Sequence, residues 1–129
     1  MRRYFVQPAG LPPVNGYSHA VGFDGQMVVI SGQVPLDEHG QLVGRDDAEA
    51  QARQVLTNLS TALAAAGTDL DHVVKITMFL TDLADLEACR RVRNEFISPD
   101  RPPASSAVIV SGLVNPEFRI EVEALAAVD

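Results

Sequence analysis

Residues 118–125 read Phe118-Arg119-Ile120-Glu121-Val122-Glu123-Ala124-Leu125. Apolar and charged side chains alternate here, the pattern of a strand with one covered and one open face. Ile120 and Val122 point one way, towards a core. Glu121 and Glu123 point the other way and share a face. In an isolated chain that face is solvated strand surface. Against a neighbouring subunit a carboxylate there becomes partly desolvated.

The same reading extends outward. Ser105-Ser106-Ala107-Val108-Ile109-Val110 is β-like, and Asn115-Pro116 breaks the chain ahead of the last strand. Leu86, Cys89, Val92 and Phe96 form a short helical stripe that stops before Pro99. Val74, Ile76, Met78 and Leu80 alternate with Lys75, Thr77 and Phe79, which predicts another strand. A longer helix is predicted where Ala52, Val55, Leu56, Leu59, Leu63 and Ala66 recur. Asp46 and Asp47 stand at its start, where acidic groups suit the helix dipole, and Gly67 is its expected C-terminal cap. Asp37-Glu38-His39-Gly40 is a turn before Leu42-Val43. Residues 16–23 and 27–31 read as two strands joined at Asp24-Gly25, a hairpin signal. The order is strands, helix, strand, helix, two strands. It predicts an α+β fold, with a single mixed β-sheet and two helices packed on one face.

Composition narrows the function classes. A chain of 129 residues fits one domain, 1–129, and 47% hydrophobic content argues against disorder. No apolar run is long enough to span a bilayer. Met1-Arg2-Arg3-Tyr4-Phe5 is basic but lacks the apolar stretch of a secretory signal. One cysteine, Cys89, leaves no internal disulfide and suits the cytoplasm. Its place on a helical apolar stripe makes it an expected core thiol. A formal charge of −7 disfavours nucleic acid as a partner. Arg90, Arg91 and Arg93 cluster, but without interleaved aromatics. His39 and His72 lie in or beside turns. No metal-ligand spacing, phosphate-binding glycine loop or dinucleotide fingerprint occurs. No cofactor and no metal are therefore expected.

Several residues could carry chemistry. Tyr17, between Gly16 and Ser18, either fills a strand end or offers a phenol to a ligand. His19 shares its side if the segment is extended, and could donate a proton near neutral pH. Ser31-Gly32-Gln33 puts a glycine at a strand end, where backbone and ligand can approach closely or the chain simply bends. Ser105 and Ser106 could be read as nucleophiles, but no Gly-x-Ser-x-Gly elbow supports them.

Six segments in order resemble the RidA family of small trimeric enamine/imine deaminases. Asn15-Gly16-Tyr17-Ser18-His19-Ala20 is similar to that family's Gly-Pro-Tyr-Ser-Gln-Ala, and Ile30-Ser31-Gly32-Gln33-Val34-Pro35 to its Ser-Gly-Gln-Ile/Val-Pro. The helix from Gln51 to Leu59 with Ala65-Ala66-Gly67, the strand from Val73 to Asp82, and Arg119 to Ala126 complete the match. At Pro103-Ala104-Ser105-Ser106, typical active members carry Pro-Ala-Arg-Ser, whose arginine holds the substrate carboxylate. Ser105 thus replaces a rigid fork of donors by one uncharged hydroxyl.

The resemblance implies a homotrimer with small-molecule pockets at the subunit interfaces. It implies that Glu121 holds the attacking water, with Glu123 the lesser choice, and that Tyr17 assists. Ser31, Gly32, Ser105, Ser106 and His19 would contact substrate. Arg90 stands where many relatives have asparagine near the pocket. It is either a surface helix charge or a relocated cation. Ala107 stands where relatives often carry cysteine, so no thiol mechanism is expected there. The expected function is hydrolysis or deamination of an imine, enamine or related small molecule, with 2-iminopropionate a poor substrate. The alternative is a non-catalytic trimer that binds a small molecule or a partner.

Overall fold

The computed structural model describes residues 1–129. Its strands are β1 (Arg2–Phe5), β2 (Ala20–Phe23), β3 (Gln26–Gln33), β4 (Val73–Leu80), β5 (Ala104–Ile109) and β6 (Ile120–Val128). Its helices are α1 (Ala48–Ala65) and α2 (Leu86–Phe96). The main sheet has the order β3-β6-β4-β5. β4 and β5 are parallel, and α2 is the crossover that parallel neighbours require. β6 enters between β3 and β4, antiparallel to both. The predicted mixed sheet with two helices on one face is therefore the observed one.

Local sequence explains each helix. Asp47 caps α1, its carboxylate accepting the Ala50 N–H at 3.0 Å. Ala52, Val55, Leu56, Leu59 and Leu63 are buried along one stripe. The helix ends in a Schellman arrangement: Thr68 N–H donates to the Leu63 carbonyl, Gly67 N–H to that of Ala64, and Gly67 takes φ +83°. Ala66, expected on the stripe, is exposed because the helix closes at that residue. α2 buries Cys89 and Val92 in the same core cluster as Ile76 and Leu80. Burial pushes the Cys89 thiol up to about 12, so it stays a protonated core side chain.

The core lies between the helices and the inner sheet face. Ile120, Val122, Ile76, Met78 and Leu80 point into it. Each such side chain contributes about 1.5–3 kcal/mol of burial. Gln51 is a polar member of this core. Its Nε2 donates to the carbonyls of Gly44 and Glu117, and its Oε1 accepts the Arg119 N–H at 2.7 Å. That side chain ties α1 to the entry of β6. The outer sheet face carries no helix, and Met27 and Val29 stand 51% and 67% exposed on it.

Two expectations are corrected. The hairpin read across Asp24-Gly25 does not pair: β2 pairs with β1, and β3 pairs with β6. Gly25 still supplies a bend at φ +97°. Two better partners take the strands on either side of it, Arg2–Phe5 for one and the long apolar β6 for the other. The last strand starts at Ile120 rather than Phe118 and runs on to Val128. Phe118 is buried, but just ahead of the ladder.

Candidate functional site

Glu121 lies on the outer face of β6, opposite Phe79 of β4. Beside it, β3 bulges. Ile30 pairs with Ala124 and Gln33 with Val122, so Ser31 and Gly32 together stand opposite Glu123 alone. The bulge brings Gly32 against the Glu121 carboxylate. A Cβ on Gly32 would lie 2.7 Å from Cδ of Glu121, closer than real side chains come. The sequence marked Gly32 as a point of close approach, and what approaches is the chain's own glutamate. Ser31 is exposed, and its carbonyl accepts the Gln33 Nε2 at 3.0 Å.

Glu123 lines a neighbouring cavity of about 310 Å³ on the same outer face, with Val29, Lys75, Thr77 and Leu125. Lys75 Nζ donates to Ser106 Oγ at 2.7 Å. Ser106 therefore belongs to this outer face, in register with Thr77.

Ser105 faces the opposite way. It is in register with Ile76, a core residue, and so points to the helix side at the sheet edge. Tyr17 is held close to that edge. Ser18 is buried, its N–H donates to the Pro103 carbonyl at 2.9 Å and its hydroxyl to that of Pro102, and it forms a parallel bridge with Ala104. The half-buried Tyr17 ring meets the His19 ring edge-on at 5.6 Å and 75°. His19 Nε2 is 2.8 Å from the Pro12 carbonyl, which fixes the imidazole in place.

Arg90 is partly buried on α2 and sits 3.7 Å from Glu87, one helical turn back. Its charge, after burial itself, helps to hold the Arg93 guanidinium below its usual range. Arg93 was read from the sequence only as part of a basic cluster, yet it is 4% exposed. One signal was available. Arg93 lies four residues after Cys89 and three before Phe96, so it continues the apolar stripe.

Within one chain the candidates form two groups. Glu121, Ser31, Gly32 and Ser106 belong to the outer face. Tyr17, His19 and Ser105 gather at the β5 edge. β4 separates Glu121 from Ser105, two strand spacings or about 10 Å across the sheet, and the two side chains leave by opposite faces.

Such a chain is a small α+β protein whose polar groups are divided between the two sides of one sheet. It belongs to the family described as Endoribonuclease L-PSP, whose model matches residues 8–128. Over 129 residues it is 38% identical to the 3-aminoacrylate deaminase RutC of Acinetobacter baylyi, covering 99% of this chain and all of that one. It is 36% identical over 122 residues to a 2-iminobutanoate/2-iminopropanoate deaminase of Salmonella typhimurium, covering 92% and 90% of the two chains. It is 40% identical over 114 residues to the protein DfrA of Myxococcus xanthus, covering 88% and 86%. Among solved structures, the Rid-family protein YyfB of Yersinia pestis superposes with a TM-score of 0.87 at 36% identity, over 98% of each chain. The RidA-type membership read from the motifs holds. No helix is long and apolar enough to cross a membrane.

Proposed function

We propose that this chain, one domain over residues 1–129, hydrolyses a C=N bond in a small imine or enamine-derived molecule. The observation that carries the reading is the Glu121 carboxylate, seated beside Gly32 on the uncovered sheet face. Glu121 would orient a water and take its proton as the oxygen attacks the imine carbon. Tyr17 would donate a proton to the nitrogen. Glu121 then passes its proton to the amine while the Tyr17 phenolate takes the hydroxyl proton, and the carbinolamine collapses to a carbonyl and ammonia. Deaminase names among the relatives support this class of reaction.

The division of the site supports assembly as a homotrimer. Glu121 and Ser105 leave the sheet on different sides and Tyr17 lies at the Ser105 edge, so one substrate reaches both groups where two copies meet. The exposed Met27 and Val29 suit burial in such a contact. Ser31, Gly32, Ser105, Ser106 and His19 would line the pocket. Arg90 would stand in for the missing cation, although Glu87 already faces it. A free buried Cys89 fits a reducing, cytoplasmic setting.

Ser105 sets the substrate. A charge-assisted hydrogen bond is worth roughly 1.5–3 kcal/mol, so its loss weakens binding about ten- to a hundredfold. A small carboxylate imine has little else to hold, and a larger, more apolar substrate fits better. Nucleic acid is no part of this reading, because the chain carries a formal charge of −7. Ser105 also favours a second reading, a trimer that binds a small molecule or a partner without turnover. Imines generated in place by an amino-acid oxidase separate the two. Hydrolysis by wild type that drops at least about a hundredfold in Glu121→Ala supports catalysis. No hydrolysis of any imine tried, or an undiminished rate in Glu121→Ala, removes it.

A further inference from the structure

Arg93 is a charge buried without an ionic partner. The chain's other buried charge, Asp85, is paired with Arg119 at 2.9 Å. Arg93 has only neutral acceptors. Its Nε and Nη2 donate to Oδ1 of Asn94 at 3.3 and 3.2 Å, and Nη2 donates to the Asn15 carbonyl at 3.4 Å. A guanidinium has five donors and is expensive to desolvate. An apolar residue at this point of the α2 stripe would serve the core better. Something other than core stability therefore accounts for the placement.

The guanidinium lies beside Gly16. A Cβ there would come within 2.6 Å of Nη2, and Gly16 holds φ +74°, a conformation that suits glycine. The next residue is Tyr17. On its far side Ser18 is locked to Pro102, Pro103 and Ala104. Tyr17 thus stands between two clamps, one residue to each side. One clamp reaches from α2 and the other from the start of β5.

We infer that Arg93 is a positioning residue for Tyr17: its guanidinium, laid against Gly16 and the Asn15 carbonyl, sets where the phenol points. The inference rests on the proposed role of Tyr17 in the pocket. It adds that the phenol's aim is governed from α2 through a buried cation. Lysine cannot replace the planar fork at this place, because its ammonium is a compact point charge on a flexible stem.

The test is a double-mutant cycle on the full chain with Arg93→Lys and Tyr17→Phe, read by two independent measurements. In turnover, Arg93→Lys should lower kcat by about ten- to a hundredfold with KM changed by less than about threefold. In the Tyr17→Phe background the same change should cost nothing further. Losses that multiply, or a full kcat in Arg93→Lys, overturn the inference. The second measurement needs no substrate. The chain has two tyrosines, Tyr4 and Tyr17, so their ring carbon–proton resonances are separable by NMR. Arg93→Lys should move the Tyr17 ring signals towards those of free tyrosine and leave Tyr4 in place. Unmoved Tyr17 signals, or equal movement of both rings, sink the idea. If no imine is hydrolysed the proposed function fails, and the ring signals still decide Arg93. Gly16→Ala is the companion variant. It presses on the same contact from the loop side and should shift Tyr17 alike. A Gly16→Ala protein with native Tyr17 signals counts against the inference.

Discussion

Gly32 and Glu121 occupy one shared volume: the space that any side chain at 32 would fill is taken by the carboxyl group of 121. The bulge of β3 creates this relationship by setting two residues opposite one. The glycine is thus a condition for the glutamate's position.

Gly32→Ala should therefore displace the Glu121 carboxylate. The clash falls on the end of a half-buried side chain that can rotate aside, so the cost in stability stays at or below about 1 kcal/mol. Turnover should fall by at least about tenfold, since small displacements of a reacting group are costly. Adding Glu121→Ala should relieve the clash, leaving the double variant about as stable as Glu121→Ala alone. Denaturant midpoints of the four proteins check this. A Gly32→Ala protein as stable and active as wild type would contradict the shared volume.

Ser105→Arg should raise the rate on 2-iminopropionate by about ten- to a hundredfold, the value of a restored charge-assisted clamp. Ser105 lies half-buried on an edge strand, so a longer side chain has an exit. Arg90 is paired with Glu87, which limits its repulsion of a new guanidinium. The measurement is initial-rate deamination, with oligomer integrity checked by light scattering. An unchanged rate in an intact assembly would show that more than one residue has diverged, and would favour the binding reading.

Acid sensitivity should trace in part to Asp37. Its carboxylate accepts the N–H groups of Gln41 at 3.0 Å and His39 at 2.9 Å. The Gln41 amide, with His39, holds it below the ordinary 3.8. The folded value is thus lower than the unfolded one, so unfolding takes up a proton. This contribution is fully present above 3.8 and is lost as pH falls through the lower folded value. Melting temperatures recorded between about pH 5 and pH 2 should fall more steeply for wild type than for Asp37→Asn. Parallel curves would exclude the contribution.

Much of this protein was legible in its sequence because the deciding signals are local. Alternation in Ile120-Glu121-Val122-Glu123 and helical recurrence in Val55, Leu59 and Leu63 depend on neighbours a few residues away. So do the caps at Asp47 and Gly67. The two helices, the strands of the main sheet, the apolar stripes of the core and the RidA-type family follow from them. Pairing is different, because a strand's partner is the best edge available anywhere in the chain. That is why β2 left its expected hairpin for Arg2–Phe5, a segment too short to announce itself. The candidate site divides along the same line. Its residue types could be picked out from motifs, whereas their directions depend on register. Ser105 and Ser106 are adjacent in sequence yet face opposite sides of the sheet. The Ser31-Gly32 bulge is visible only against β6, and Arg93 reads as a solvated charge until α2 turns it beneath Gly16. The sequence by itself determined the two helices, the four strands of the main sheet, the apolar core and the family. Only the tertiary structure decided which face each polar group uses, since facing is a relation between strands distant in the chain.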